Sequence, residues 1–228
     1  MARQGDETAR SLAARWSAHG ALLLSPPDLS VSGWQYSPLA PEASIGVIGR
    51  RSICSSEITG VLTRLPWVFE NELIHVAPND RAYAASEMNA FLLALLDGLP
   101  CPLLNRPTST CLSGPCWRKE RWVHCAAGLG IPVCSVRREA RPSEVLSLQE
   151  AQHPSKTVTV VGDRCFGEAD KTLAHRARRL ASAAGVDLLA VHFRAVDGEF
   201  RLLGADLWPD IGSTEVADGI LDYFRGSR

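Results

Sequence analysis

The residues of this chain best placed to do chemistry are Arg64, Asn105 and Arg106. Each sits at or just past the carboxyl end of an apolar run, residues 58–63 and 102–105. Open α/β sheets bind ligands at that edge, and guanidinium and carboxamide groups there match a carboxylate or a peptide group. Glu87 and Asn89, on a helix expected between the two runs, would line the same crevice. The same Arg and Asn side chains could equally tie loops to the sheet.

Thiols and imidazoles form a second set. Cys111, Cys116, His124, Cys125 and Cys134 crowd into 24 residues. Structural zinc prefers close pairs such as C-x2-C, whereas four residues separate Cys111 from Cys116. On a helix Cys116 and His124 would lie about 12 Å apart, too far for one metal. Free thiols buried as small hydrophobes account for them better. Cys54 lies near Arg50, Arg51 and Glu57, and cationic neighbours would lower its pKa, but nothing places a histidine beside it. His75 and His192 sit inside apolar runs and read as core or sheet-edge residues. Arg176, Arg178 and Arg179 read as a solvated helix face.

The elements that must position these residues fall into two blocks. In the first, residues 21–24, 45–48, 58–63 and 102–105 are short apolar runs stopped by Pro, Gly or Arg, the pattern of buried strands. A helix from Asn79 or Asp80 to Gly98 carries Met88, Phe91, Leu92, Leu95 and Leu96 as an apolar stripe. A second helix starts near Ser113 or Pro115 and ends at Gly128 or Gly130, followed by the strand Ile131-Pro-Val133. Strands alternating with helices predict a parallel sheet covered by helices. A weaker helical pattern covers residues 1–19.

In the second block, Gly162-Asp163 and Asp197-Gly198 are hairpin turns, the first between residues 157–161 and 164–166, the second between 187–195 and 199–205. A helix over residues 168–184 lies between the hairpins, and another over 214–224 closes the block. Two hairpins around a helix predict an antiparallel α+β unit. The expected domains are 1–138 and 157–228, with a linker over 139–156.

The first block resembles the domain preceding the catalytic region of ATP-grasp carboxylate–amine ligases. The likeness is to microviridin-type ribosomal-peptide maturases and ribosomal-protein glutamate ligases. It rests on the order and spacing of Ile58-Thr-Gly-Val-Leu-Thr-Arg-Leu-Pro66, Tyr83-Ala-Ala-Ser-Glu-Met-Asn-Ala90, Leu103-Leu-Asn-Arg-Pro107 and Ala127-Gly-Leu-Gly-Ile-Pro-Val133. The second block resembles the tail of the same architecture through Val158-Thr-Val-Val-Gly-Asp163 and Val186-Asp-Leu-Leu-Ala-Val-His192. The resemblance implies a pre-ATP-grasp-like α/β domain followed by a smaller α+β remnant of the ATP-grasp region. It also implies that Arg64, Asn105 and Arg106 face an acyl acceptor or peptide.

Active relatives end the last hairpin with a Glu then an Asn that hold magnesium. Here that segment is Leu203-Gly-Ala-Asp-Leu-Trp-Pro-Asp210, in which Asp206 could replace the Glu and no Asn follows it. Acylphosphate formation from ATP needs cations on the phosphates and metal to offset developing charge. The 23 residues from Cys134 to Lys156 hold one lysine and no glycine. The nucleotide lid is thus missing, and the expectation is a truncated pseudoenzyme without cofactor. It would bind a small molecule, a peptide or a partner ligase as an accessory factor. The alternative is an active ligase using ATP and magnesium, with Asp206 and Asp210 on the metal and a partner subunit supplying the lid.

Composition sets the outer bounds. With 46% hydrophobic and 21% charged residues the chain is globular in type. A formal net charge of −1 gives no reason to expect nucleic acid or an anionic membrane as partner. Only Lys119, Lys156 and Lys171 of the 24 basic residues are lysines, the mark of a high-GC coding bias. Residues 1–10 lack the apolar core of a signal peptide, and no run approaches a membrane helix. Seven cysteines with no export signal point to a reducing cytoplasm. An apolar surface left by a missing lid would favour a homodimer.

Overall fold

The computed structural model describes residues 1–135, 155–168 and 170–226. In chain order its helices and strands are α1 (Glu7–Arg15), β1 (Ile45–Ile48), β2 (Arg51–Cys54), β3 (Val61–Leu62), α2 (Arg81–Asp97), β4 (Leu103–Leu104) and α3 (Lys119–Gly128). There follow β5 (Ser155–Val161), β6 (Arg164–Phe166), α4 (Lys171–Ala184), β7 (Leu188–Val196), β8 (Glu199–Asp206) and α5 (Thr214–Gly226). Most of the connection carrying the lid argument, residues 136–154, lies outside the described residues. The chain forms two compact units, Met1–Cys116 with Asp210–Arg228, and Trp117–Pro209. The fold is mixed α/β.

The second unit is built by period-2 alternation. A four-stranded antiparallel sheet has the order β6-β5-β7-β8. Val158, Val160, Leu189, Val191 and Phe193 point to one face, where they pack with Leu173, Ala177 and Leu180 of α4. Helix α4 starts where Asp170 accepts bonds from the Thr172 and Leu173 amides, and it stops at left-handed Gly185. Both expected hairpins form. Asp197 and Gly198 take φ of 53° and 80°, the double left-handed turn that matches strand twist.

The boundary between units differs from the sequence reading. Trp122 and Ala126 of α3, and Ile131 after it, belong to the core of the second unit, and Val133 pairs with Leu202 of β8. Helix α5, read above as the end of the second block, belongs to the first: Arg15 donates to Asp218 at 2.7 Å and Phe224 packs over Gly60. Local periodicity gave each helix its apolar face; it carried no information on which core would take that face.

The first unit also departs from the expected parallel sheet. Parallel pairing joins β3 and β4 alone among the described strands, over two residues each. Strand β1 instead folds back on β2 through Gly49 and Arg50, both at positive φ (55° and 64°), which makes a tight antiparallel hairpin. Residues 21–24 form no strand, although Leu24 is buried and accepts a bond from the Ala2 amide. The core is Leu65, Val68, Leu73, Leu92, Leu96, Leu103 and Leu112, so the apolar stripe of α2 is buried as its spacing predicted.

Helix α1 is fastened at its start. Asp6 accepts a bond from the Ala9 amide and pairs with the Arg64 guanidinium at 2.9 Å, both side chains being mostly covered. Burial alone would raise the Asp6 carboxyl. The Ala9 bond, the Arg64 bond and the Arg64 charge outweigh it, so its pKa lies below the ordinary 3.8. A depressed carboxylate adds stability above its unfolded pKa and loses it as pH falls through the folded value. Asn caps a helix as well as Asp does. Asp6→Asn should therefore cost about 1–2 kcal/mol at pH 7 by urea denaturation, with the deficit shrinking below pH 3.8. An equal deficit at pH 3 and pH 7 would remove the charge from this explanation.

Candidate functional site

The most organised polar group lies on the second unit's sheet, on the face opposite α4. Register places Thr157 opposite His192, and Thr159 opposite Ala190. Across β8, His192 faces Gly204 and Ala190 faces Asp206. Thr157, His192 and Asp206 therefore share one face, with Asp206 diagonal to His192. Thr157 Oγ1 lies 3.0 Å from His192 Nδ1, and His192 Nε2 lies 2.7 Å from Asp206 Oδ2. The other carboxylate oxygen accepts the Trp208 amide at 2.8 Å.

A bulge produces this line. From the turn at Asp197-Gly198 the strands pair Val196 with Glu199 and so on to Phe193 with Leu202. Unbroken pairing would set His192 against Leu203 and aim Asp206 into the apolar core. The irregularity between His192 and Phe193 inserts Leu203 and returns Asp206 to the polar face. The stem of Lys119 passes over Gly204, 3.6 Å from where a Cβ would stand.

The chemistry of this line follows from its donors. A carboxylate only accepts, so Nε2 of His192 carries the hydrogen toward Asp206, and in the neutral ring Nδ1 accepts from the Thr157 hydroxyl. A hydroxyl, imidazole and carboxylate in that order can move a proton onto the ring while the carboxylate stabilises the imidazolium. Each oxygen of Asp206 accepts one hydrogen bond, from His192 and from the Trp208 amide. Among the described residues no group of three or more His, Cys, Asp or Glu is arranged to hold a metal ion.

Of the other sequence candidates, Arg64, Asn105 and Arg106 follow the carboxyl ends of β3 and β4, whose parallel pairing sets Leu62 beside Leu104, while Glu87 and Asn89 lie on α2. Asp210 belongs to the first unit and accepts the Gly212 amide at 2.9 Å in a local turn. Arg64 is committed to Asp6. Asn105 is 2% exposed, with its amide 3.5 Å from the Ser113 carbonyl, while Arg106 and Glu87 are exposed. Asn89, 1% exposed, acts as a clamp: its Oδ1 accepts the Val68 amide at 2.8 Å and its Nδ2 donates to the Val68 and Ala85 carbonyls. Both donors of that amide are used, which pins the segment after β3 to α2.

The thiols stand apart from this line. Burial pushes Cys101, Cys111 and Cys165 above the ordinary thiol value, which makes them poor nucleophiles. Cys54 bonds with the Glu42 carbonyl and the Ser56 hydroxyl, and its amide donates to Glu57. Two of the three arginines on α4 have structural partners: Arg176 donates to the Phe200 carbonyl, and Arg179 donates to the Leu129 carbonyl at the end of α3. Sequence reasoning missed Thr157 and Lys119 and took His192 for a satisfied sheet residue. The signal available was their place on the polar phase of alternating strands. Nitrogen-15 NMR should show His192 as the Nε2–H tautomer, and Asp206→Ala should shift it toward a mixture. An unchanged tautomer in that variant would break the assigned link.

No family profile and no curated protein matches the sequence. Solved structures match in fold. The macrocyclase MdnC of Microcystis aeruginosa MRC, solved with precursor peptide MdnA, superposes with a TM-score of 0.68 at 12% identity, over 100% of this chain and 98% of that one. A RiPP-associated ATP-grasp ligase of Chryseobacterium gregarium, solved with ADP and a leader and core peptide, gives 0.68 at 8% identity, over 100% and 96%. The ATP-grasp ligase PsnB, solved with a minimal precursor, gives 0.64 at 12% identity, over 97% and 96%. No helix among the described residues is long and apolar enough to cross a membrane. The chain has the fold of the ATP-grasp ligases that mature ribosomal peptides.

Proposed function

We propose that this chain is a peptide-binding accessory factor in a peptide-modification or natural-product pathway. In this reading it is a truncated, catalytically degenerate form of the ATP-grasp fold. The observation that carries it is Asp206, whose two oxygens are taken by His192 and by the Trp208 amide. The next residues, Leu207 and Trp208, supply no amide ligand, and residues 134–156 contain no glycine for a phosphate loop. The residues present do not fit magnesium-ATP. The peptide half of the proposal is supported by the neighbours, which were solved with precursor peptides. Exposed Arg106 and Glu87 in the first unit are suited to a peptide's charged groups.

One observation favours a second reading, an active ATP-dependent carboxylate–amine ligase whose nucleotide lid comes from a partner subunit. Lys119, one of three lysines, passes over the residue opposite His192, so a cation is retained on the sheet that carries Asp206. Thermal unfolding separates the two. On the accessory reading, magnesium-ATP leaves the melting temperature of the purified chain unchanged, while a precursor-type peptide from the neighbouring genes raises it without nucleotide. A clear rise with magnesium-ATP alone contradicts the accessory reading.

A further inference from the structure

The first unit has an open cleft of about 410 Å³, within the range of small-molecule pockets. Leu22, Ile58 and Leu221 are among the apolar side chains at least partly exposed in its wall. Trp16 is also in the wall. It is 8% exposed and its indole N–H has no hydrogen-bond partner among the described residues, an uncommon state for a buried donor.

The cleft also carries polar groups, Ser55, Glu57, Thr59, Arg64 and the Met1 amine besides His19 and Arg225; the amine donates to the Leu62 carbonyl at 2.7 Å. Trp16 lies three residues before His19, where Arg225 of α5 donates to His19 Nδ1 at 3.1 Å. Both are exposed and both line the cleft. Arg225 meets no carboxylate among the described residues. The one carboxylate in the wall, Glu57, is engaged by the Cys54 amide at 2.8 Å. The other arginine there, Arg64, is neutralised by Asp6. A cleft with exposed apolar side chains and an uncompensated guanidinium at its rim fits a molecule with an apolar body and a single negative end.

We infer that this cleft binds a hydrophobic monocarboxylic acid. Its aliphatic or aryl body lies against Leu22, Ile58 and Leu221, and its carboxylate meets Arg225 beside His19. The site lies wholly in the first unit and uses none of Thr157, His192 or Asp206, so it stands or falls separately from the function proposed above.

Tryptophan fluorescence of the purified full chain, titrated with decanoate, decanol, decylamine and 2-naphthoate, tests it, since Trp16 and Trp34 both line the cleft. One or both acids should bind saturably, at least about tenfold tighter than the alcohol or the amine, a difference of about 1.4 kcal/mol. Arg225→Glu should weaken the acids about tenfold or more and leave decanol unchanged. Ala13→Leu adds bulk to the wall from α1 without removing a side chain, and it should weaken every ligand. No saturable binding of either acid, equal binding of the amine, or full affinity in Ala13→Leu would each overturn the inference.

Discussion

The register between β5 and β7 is the constraint on which the second unit depends. Pairing Ser155 with Arg194 through Val161 with Leu188 sends Val158, Val160, Leu189, Val191 and Phe193 to the helices α3 and α4. The same pairing sends Thr157 and His192 to the opposite face. A slip of one residue would exchange the two sets, exposing the valines and burying the histidine. The apolar core and the polar line are thus fixed by one choice, and the burial of apolar side chains on one face supplies the energy that positions the polar ones on the other.

The bulge in β8 adds a second, local decision. By taking Leu203 out of the pairing it reverses the phase of everything after it, so Asp206 reaches His192 and stays out of the apolar core. The close approach of carboxylate and imidazole then defines the chemistry of this face. It stabilises one tautomer of the neutral ring and orients the Thr157 hydroxyl as a donor to it. The fold is shared with peptide-maturing ligases.

Much of the architecture was legible in the sequence where local rules suffice. The stripe on α2 and the Asp197-Gly198 turn each involve residues a few positions apart, and each formed where spacing placed it. Less was legible where distant segments decide. Nothing local to α3 says that Trp122 joins the core that holds Phe193 and Leu180, or that α5 returns to Gly60. Asn89 had the type and position of a crevice residue, but its burial against Val68 makes it a clamp. Thr157, His192 and Asp206 are separated by 35 and 14 residues, and the bulge that aligns them follows from no turn motif.

The accessory-factor proposal turns on His192, rather than a metal ion, holding the Asp206 carboxylate. Manganese(II), as a paramagnetic stand-in for magnesium, tests this when titrated into isotopically labelled protein and followed by NMR. The account predicts that the Asp206 and His192 resonances lose no more intensity than the rest of the surface. Selective loss of those two signals at low manganese would contradict it.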